Sequence, residues 1–294
     1  PTFYMQTYGW GAGEADYWYS LIRGDDVIPD LNIGRLPCSD LEDLEVTLAK
    51  YLQYNTPGTF GSWQNELITI AGFETDFKEQ SESLLSNHIP KAYMPSRLFI
   101  DRDSEGQMFW GDTDSLVAQW NNGKLLINFL GHGGGAVWAD RSLFTRDDIN
   151  YLDEGAPPSF VTSMTCFTAS FAQSRGLGEV VLTESPVGAI GWFGSSGVGW
   201  LINDYLMVQP LLRGLLESDK PVGEIINEAR MEYYAIGYDY LRTSMLFQYN
   251  YLGDPTTRLA RPEPISDLAS ANTIYGTNEQ LEFTYVGSTV GLID

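Results

Sequence analysis

Residues 124–171 read KLLINFLGHGGGAVWADRSLFTRDDINYLDEGAPPSFVTSMTCFTASF. Two apolar runs stand in this stretch, Leu125–Leu130 and Ser159–Thr165. Each is bounded by turn formers and is too short for three helical turns, so each is predicted as a buried strand. The first runs into Gly131-His132-Gly133-Gly134-Gly135, the second into Cys166. Between them, Thr145–Leu152 has threonine as N-cap and Asp147 and Asp148 in its first turn, the pattern of a short helix. Strand, helix, strand implies parallel neighbours joined by a crossover. Parallel strands end on one edge, and open α/β sheets place their sites there. His132 and Cys166 are therefore predicted to emerge side by side.

A thiol beside an imidazole is the minimum for nucleophilic cysteine catalysis. The glycines have a physical task next to it: they let backbone N–H groups approach a reacting carbonyl closely, as an oxyanion hole must. Alone, Cys166 would read as a small core residue, because buried cysteine is common. Its pairing with a histidine at neighbouring strand ends favours chemistry. Competing chemistries fit less well. The HGGG segment also occurs in lipases and esterases, but no G-x-S-x-G elbow exists and GSSGVG at 194–199 has the wrong spacing. The only histidines are His88 and His132, and no H-E-x-x-H is present, which argues against a zinc protease. Neither a GxGxxG nor a Walker pattern supports phosphate binding. His88, near a predicted helix end, reads as a surface or capping residue.

LGHGGGAVWAD followed by SMTCFTASF resembles the gingipain-type cysteine peptidases, peptidase family C25, which have a caspase-like fold. In that family a strand ends in Gly-His-Gly and the nucleophilic cysteine closes the next strand. The 34 positions from 132 to 166 suit it. IPDLNIGRLP at 28–37, a helix from Asp40 to Tyr54 and YLGDPTTRL at 251–259 agree, and the resemblance covers roughly residues 14–260. It implies a three-layer α/β domain with a mostly parallel sheet and helices on both faces over residues 1–261. Residues 262–294 would then be a linker and the beginning of an immunoglobulin-like β-sandwich, with QLEFTY at 280–285 alternating like a sandwich strand.

The same resemblance implies a cysteine endopeptidase acting on polypeptides. Cys166 is the nucleophile, His132 the general acid/base, and the N–H groups of Cys166 and Gly133 form the oxyanion hole. Glu74 lies where family members carry a glutamate that supports the histidine. Trp200, in GSSGVGW, matches a segment that carries a tryptophan pocket wall, and flexible Gly197 and Gly199 would admit a side chain. Asp76 lies near the aspartate with which Arg-specific gingipains hold the P1 residue, although the loop after Glu74 is shorter here. Its other reading is a helix cap. The resemblance leaves open a sortase-like transpeptidase of a secretion system and a non-catalytic surface or structural module. It requires no cofactor for catalysis and admits structural calcium.

Composition sets wider bounds. The chain has 294 residues, 43% of them hydrophobic, enough for one large α/β domain with a sizeable core. With 39 acidic and 17 basic residues the net charge is −22, which argues against nucleic acid and anionic membrane surfaces. It is compatible with cationic substrates, bound calcium, a salty extracellular medium or solubility alone. A disulfide between the two cysteines would consume Cys166, so none is expected, and Cys38 reads as a core residue. No run is long enough to span a membrane. The chain starts at Pro1 and stops in a strand-like run, so it reads as part of a longer precursor, secreted or at the cell surface.

Along the rest of the chain, Trp10, Trp18 and Tyr19 are expected to cover a sheet edge and Leu31–Arg35 to form a strand. Ser39 is expected to cap a helix with Glu42, whose stripe of Leu41, Leu44, Leu48, Tyr51 and Leu52 would be core. Strands are predicted at Glu66–Ala71, Arg97–Ile100 and Pro186–Phe193. Helices are predicted at Asp76–Asn87, from Asp112 or Thr113 to Asn122, after Cys166 through Ser174, and over Asp204–Glu217, Pro221–Ile236 and Tyr238–Tyr249. The acidic loop Asp101–Gly106 resembles a calcium loop only weakly and reads first as a solvated turn.

Overall fold

Five short runs rich in Ile, Leu, Val and Phe pair in parallel at the centre of the molecule. They are β1 (Glu66–Ala71), β2 (Met94–Phe99), β3 (Leu126–Leu130), β4 (Ser159–Met164) and β5 (Ala189–Ser195). A sixth, β6 (Tyr249–Gly253), adds antiparallel to β5. The order across the sheet is β6-β5-β4-β3-β1-β2. The computed structural model describes residues 4–7, 11–56, 61–100, 108–172, 175–237, 239–262, 268–270 and 283–285. Trp10, the acidic loop 101–106 and most of the segment after Pro262 lie outside the described residues. Leu268–Ser270 and Phe283–Tyr285 pair antiparallel in a separate two-stranded sheet.

Helices cover both faces, because every central strand is apolar on both sides. One core holds Tyr51 and Tyr54 of α1 (Leu41–Tyr54), Phe77 and Leu84 of α2 (Thr75–Asn87), and the apolar sides of α5 (Leu201–Glu217) and α6 (Val222–Ile236). The other core holds Leu116 and Trp120 of α3 (Thr113–Asn121) and Leu177, Val180 and Val181 of α4 (Leu177–Thr183). Its centre is an aromatic stack in which Trp138 lies 4.6 Å from Phe129 and 5.7 Å from Trp192. The last helix, α7 (Asp239–Gln248), packs Leu246 and Phe247 against Ala15 and Tyr17. The three-layer α/β architecture is present, as are the predicted strands that end in the Gly-His and Cys segments.

Several local expectations are corrected. Leu31–Arg35 is not a strand: only Arg35 bridges to Leu252 at the sheet edge, held there by its ion pair to Asp16 at 2.6 Å. Asp40, not Ser39, caps α1. Its carboxylate accepts the Asp43 N–H, while Asp43 reaches back to the Ser39 N–H. The leucine stripe of α1 is not core, with Leu41 at 67%, Leu48 at 47% and Leu52 at 73% exposure. Of the predicted stripe the helix buries Tyr51, and with it Thr47, Lys50 and Tyr54. Polar atoms on that face find backbone partners: Tyr51 Oη donates to Ile190 O and Lys50 Nζ to Leu182 O. No helix follows Cys166 directly. Phe167 takes a left-handed backbone (φ 60°), and the N–H groups of Phe167, Ala169 and Ala172 bond to Gly197 O, Ser195 O and Glu14 Oε1 rather than to the preceding turn. Helix α4 begins only at Leu177.

Candidate active site

The sheet order reverses at β1, and ligands of open α/β sheets bind where such a reversal opens a crevice between strand ends. Here β1 pairs on one side with β2 and on the other with β3. The loops leaving β1, β3 and β4 carry Glu74, His132 and Cys166 in turn. Leu130 of β3 lies opposite Met164 of β4, so the histidine and the cysteine each follow two residues beyond one paired position.

Glu74 is the N-cap residue of α2 by backbone, yet its side chain makes no cap bond. The carboxylate instead turns to the imidazole, with Glu74 Oε2 at 3.2 Å from His132 Nε2. The Phe77 ring meets the imidazole edge-on at 5.3 Å. The His132 N–H donates to Asp140 Oδ2 at 2.8 Å, and the His132 carbonyl accepts the Ala139 N–H at 2.8 Å. Asp140 is buried and also accepts the Phe73 N–H. Burial pushes its carboxyl above the usual range, against the pull of the His132 N–H bond. One carboxylate thus ties the loop of Glu74 to the loop of His132. The sequence reading missed Asp140. The signal available was an acidic residue eight positions after the histidine in a glycine-rich loop whose N–H groups need acceptors.

Cys166 Sγ accepts the Gly199 N–H at 3.3 Å; it makes no hydrogen bond to the imidazole among the described residues. Burial pushes the thiol above its ordinary range, the Gly199 bond draws it down, and the charge of Asp204 adds to the rise. Gly133 sits against the backbone of Cys166. A Cβ there would lie 2.6 Å from the Thr165 side chain and 2.8 Å from the Cys166 carbonyl, so only glycine permits the approach. Gly133 pairs with Trp138, and the bond from Ala139 N–H to the His132 carbonyl makes this a non-hydrogen-bonded pair. The Gly133 N–H therefore points away from its partner strand.

The residues expected to shape a pocket fall in two places. Asp76 is exposed in the first turn of α2 and is not the cap, which is Glu74. It lines a groove of about 340 Å³ together with Glu79, Gln80, Ser83, Leu201, Ile202 and Tyr205. Trp200 precedes this groove as the half-buried N-cap residue of α5. Gly197 and Gly199 lie in the segment that backs Cys166. The Gly197 carbonyl accepts the Phe167 N–H, and Gly199 packs on Asp204.

Both cysteines are free, and burial pushes Cys38 upward as well, beside Thr47 and away from any imidazole. His88 ends α2 as its C-cap residue. Glu74, His132 and Asp140 bring one nitrogen and two carboxylate oxygens within 4.8 Å of one another. A nitrogen in the set disfavours calcium, which prefers oxygen ligands. No helix among the described residues is long and apolar enough to cross a membrane.

With this geometry in hand, comparison with known proteins is decisive. The model of "Peptidase family C25" matches residues 1–260. The chain belongs to peptidase family C25. Among C25 relatives, gingipain R2 of Porphyromonas gingivalis is 25% identical over 167 residues, which is 54% of this chain but 22% of the relative. Gingipain R1 of the same organism is also 25% identical, over 16% of its length. The chain thus spans about a fifth of the curated relatives it matches. The crystal structure titled as the Arg-specific cysteine proteinase gingipain R superposes with a TM-score of 0.71 at 18% identity. It covers 84% of this chain and 59% of that one. A second solved structure, titled only as a protease, gives 0.73 at 19% identity, covering 95% and 67%. The fold is therefore the caspase-like fold of gingipain R.

Proposed function

We propose that this C25 chain is a cysteine endopeptidase that cleaves polypeptides through Cys166 and His132. The observation that carries the reading is the meeting of two loops at adjacent strand ends. One presents a thiol; the other presents an imidazole already oriented by the Glu74 carboxylate at 3.2 Å. As Cys166 Sγ bonds to the scissile carbonyl carbon, its proton passes to His132 and the carbonyl π pair moves to oxygen. The N–H groups of Gly133 and Cys166 receive that oxyanion; neither is committed to a strand ladder. Collapse expels the amine, which takes the proton from His132, and leaves a thioester for water to hydrolyse. Resolution by an amine would make the same site a sortase-like transpeptidase, and loss of turnover would leave a surface module of the same fold. Residues 1–261 form the catalytic domain of a longer secreted or cell-surface precursor. Profiling a peptide library with wild type and Cys166→Ala tests the reading: cleavage by wild type alone supports it, and cleavage by neither removes it.

Substrate choice follows from the acidic groove. Asp76 and Glu79 stand on its wall beside the apolar Leu201 and Ile202, which continue from Trp200. A guanidinium or ammonium P1 side chain would meet a carboxylate there in a charge-assisted bond. Cleavage after Arg or Lys is expected. Asp76→Ala should lower kcat/KM on Arg and Lys fluorogenic substrates by about tenfold to a hundredfold and leave an Ala substrate unchanged. The groove is open to solvent, which keeps the effect below that of a fully buried pair. Equal loss on all three substrates would assign Asp76 to the helix start alone.

The acidic balance and the family together support structural calcium, held by carboxylates and carbonyls. The expected result is a Tm that falls by several degrees in EDTA and recovers with added calcium. An unchanged Tm at low ionic strength removes calcium from the account.

A further inference from the structure

Asp204 lies in the first turn of α5, only 4% exposed, and the chemistry above gives it no part. Several elements close on it. From β6, Tyr249 Oη donates to Asp204 Oδ1 at 2.6 Å. From the cap of α5, the Trp200 N–H bonds to the same carboxylate. From α6, Tyr233 Oη donates to the adjacent Asn203 Oδ1 at 2.7 Å. Among the described residues no cation pairs with this charge, which is costly to bury unpaired. Gly199 links it to the nucleophile. A Cβ on Gly199 would lie 2.5 Å from Asp204 Oδ2 and 3.0 Å from the Thr165 carbonyl carbon, so the carboxylate packs directly on this glycine. The Gly199 N–H in turn points at Cys166 Sγ, 3.3 Å away. Asp204 thus backs the peptide unit whose N–H bonds to the resting thiol.

We propose that Asp204 is a positioning residue for the nucleophile: it clamps the Gly199–Trp200 segment against Cys166, and its charge opposes thiolate formation until His132 takes the proton. The inference rests on the reading of Cys166 as nucleophile. The titratable groups facing the carboxylate are Cys166, Tyr249 from β6 and Tyr233 from α6; Arg242 of α7 acts on Tyr233. Burial pushes the Asp204 carboxyl up to about 6, so its charge is present above that pH and lost below it.

Iodoacetamide labelling of Cys166, followed by peptide mass spectrometry across pH about 5 to 8, reads the thiolate directly. In wild type the logarithm of the rate should flatten against pH near 6, where the charge appears. In Asp204→Asn, which keeps the shape and can still bond Tyr249, that flattening should be lost. The rate near neutrality should be about threefold to tenfold higher than in wild type. Tyr249→Phe deletes the 2.6 Å donor but keeps the carboxylate, and should move the flattening to higher pH. A folded Asp204→Asn with the wild-type rate and slope overturns the proposal, as does a slower one. If Asp204→Asn does not fold, an unmoved profile in Tyr249→Phe overturns it. Labelling that follows these expectations in a protein that cleaves no peptide would retain this inference and remove the peptidase reading.

Discussion

Cys166→Ser and His132→Ala are each expected to lower kcat/KM for peptide cleavage by about a thousandfold or more, with the Tm unchanged. The two losses should not add in the double variant, because nucleophile and base act as one unit. The electrostatics make the dependence on the base steep. Burial and the Asp204 charge both hold the Cys166 thiol above its ordinary range, so little free thiolate exists near neutral pH. A nucleophile in that state depends on proton transfer to His132 during attack. Steady-state kinetics on a fluorogenic peptide measures both losses. Near-wild-type turnover by Cys166→Ser would remove the dyad.

Lys50→Met is expected to stabilise the protein at neutral pH by about 2–3 kcal/mol. Lys50 is 2% exposed, and among the described residues its ammonium has one partner, the Leu182 carbonyl at 2.7 Å. Desolvation lowers its folded pKa to about 7, whereas an amine in the unfolded chain titrates near 10.5. Below about 7 both states carry the proton and the full burial cost applies, on the order of 4–5 kcal/mol. Between the two values the unfolded chain binds more protons, so wild-type stability should rise with pH across that window. Methionine keeps the buried stem and removes the titrating group. Leaving the Leu182 carbonyl without its donor costs about 1–2 kcal/mol, which sets the net gain. Urea unfolding at pH about 7 and about 9.5 checks both parts. The difference between the proteins should shrink at the higher pH; equal stability at both would mean that Lys50 reaches water in the native state.

What could be read from the chain depended on how local its determinants are. Leu126–Leu130 and Ser159–Met164 announce themselves as short apolar runs ending in Gly-His and Cys, and the sheet register brings those endings together as expected. Glu74 was found only through the family likeness; its bond to His132 spans 58 positions of chain. Asp140 and Asp204 were missed because their partners are backbone N–H groups and a tyrosine hydroxyl on other elements. No periodicity encodes such partners. The predicted helix began at Asp204, whereas the chain enters the helix at Leu201 and buries Asp204 within its first turn. The leucines of the α1 stripe failed for a related reason, although its Tyr51 is buried. Hydropathy counts leucines, but the buried face is chosen by Tyr51, Tyr54 and Lys50, whose polar ends reach backbone groups deep in the fold. The segment after Cys166 looked helical, yet its N–H groups are claimed by Gly197, Ser195 and Glu14.

The central claim is that a covalent acyl-enzyme forms on Cys166 with His132 as its base. The most direct measurement is trapping with a peptidyl acyloxymethyl ketone carrying Arg at P1, read by intact mass and then by peptide mapping. The account predicts a single adduct at Cys166, none at Cys38, and strongly slowed labelling in His132→Ala. An adduct at Cys38, or labelling of Cys166 at an undiminished rate without His132, would contradict it.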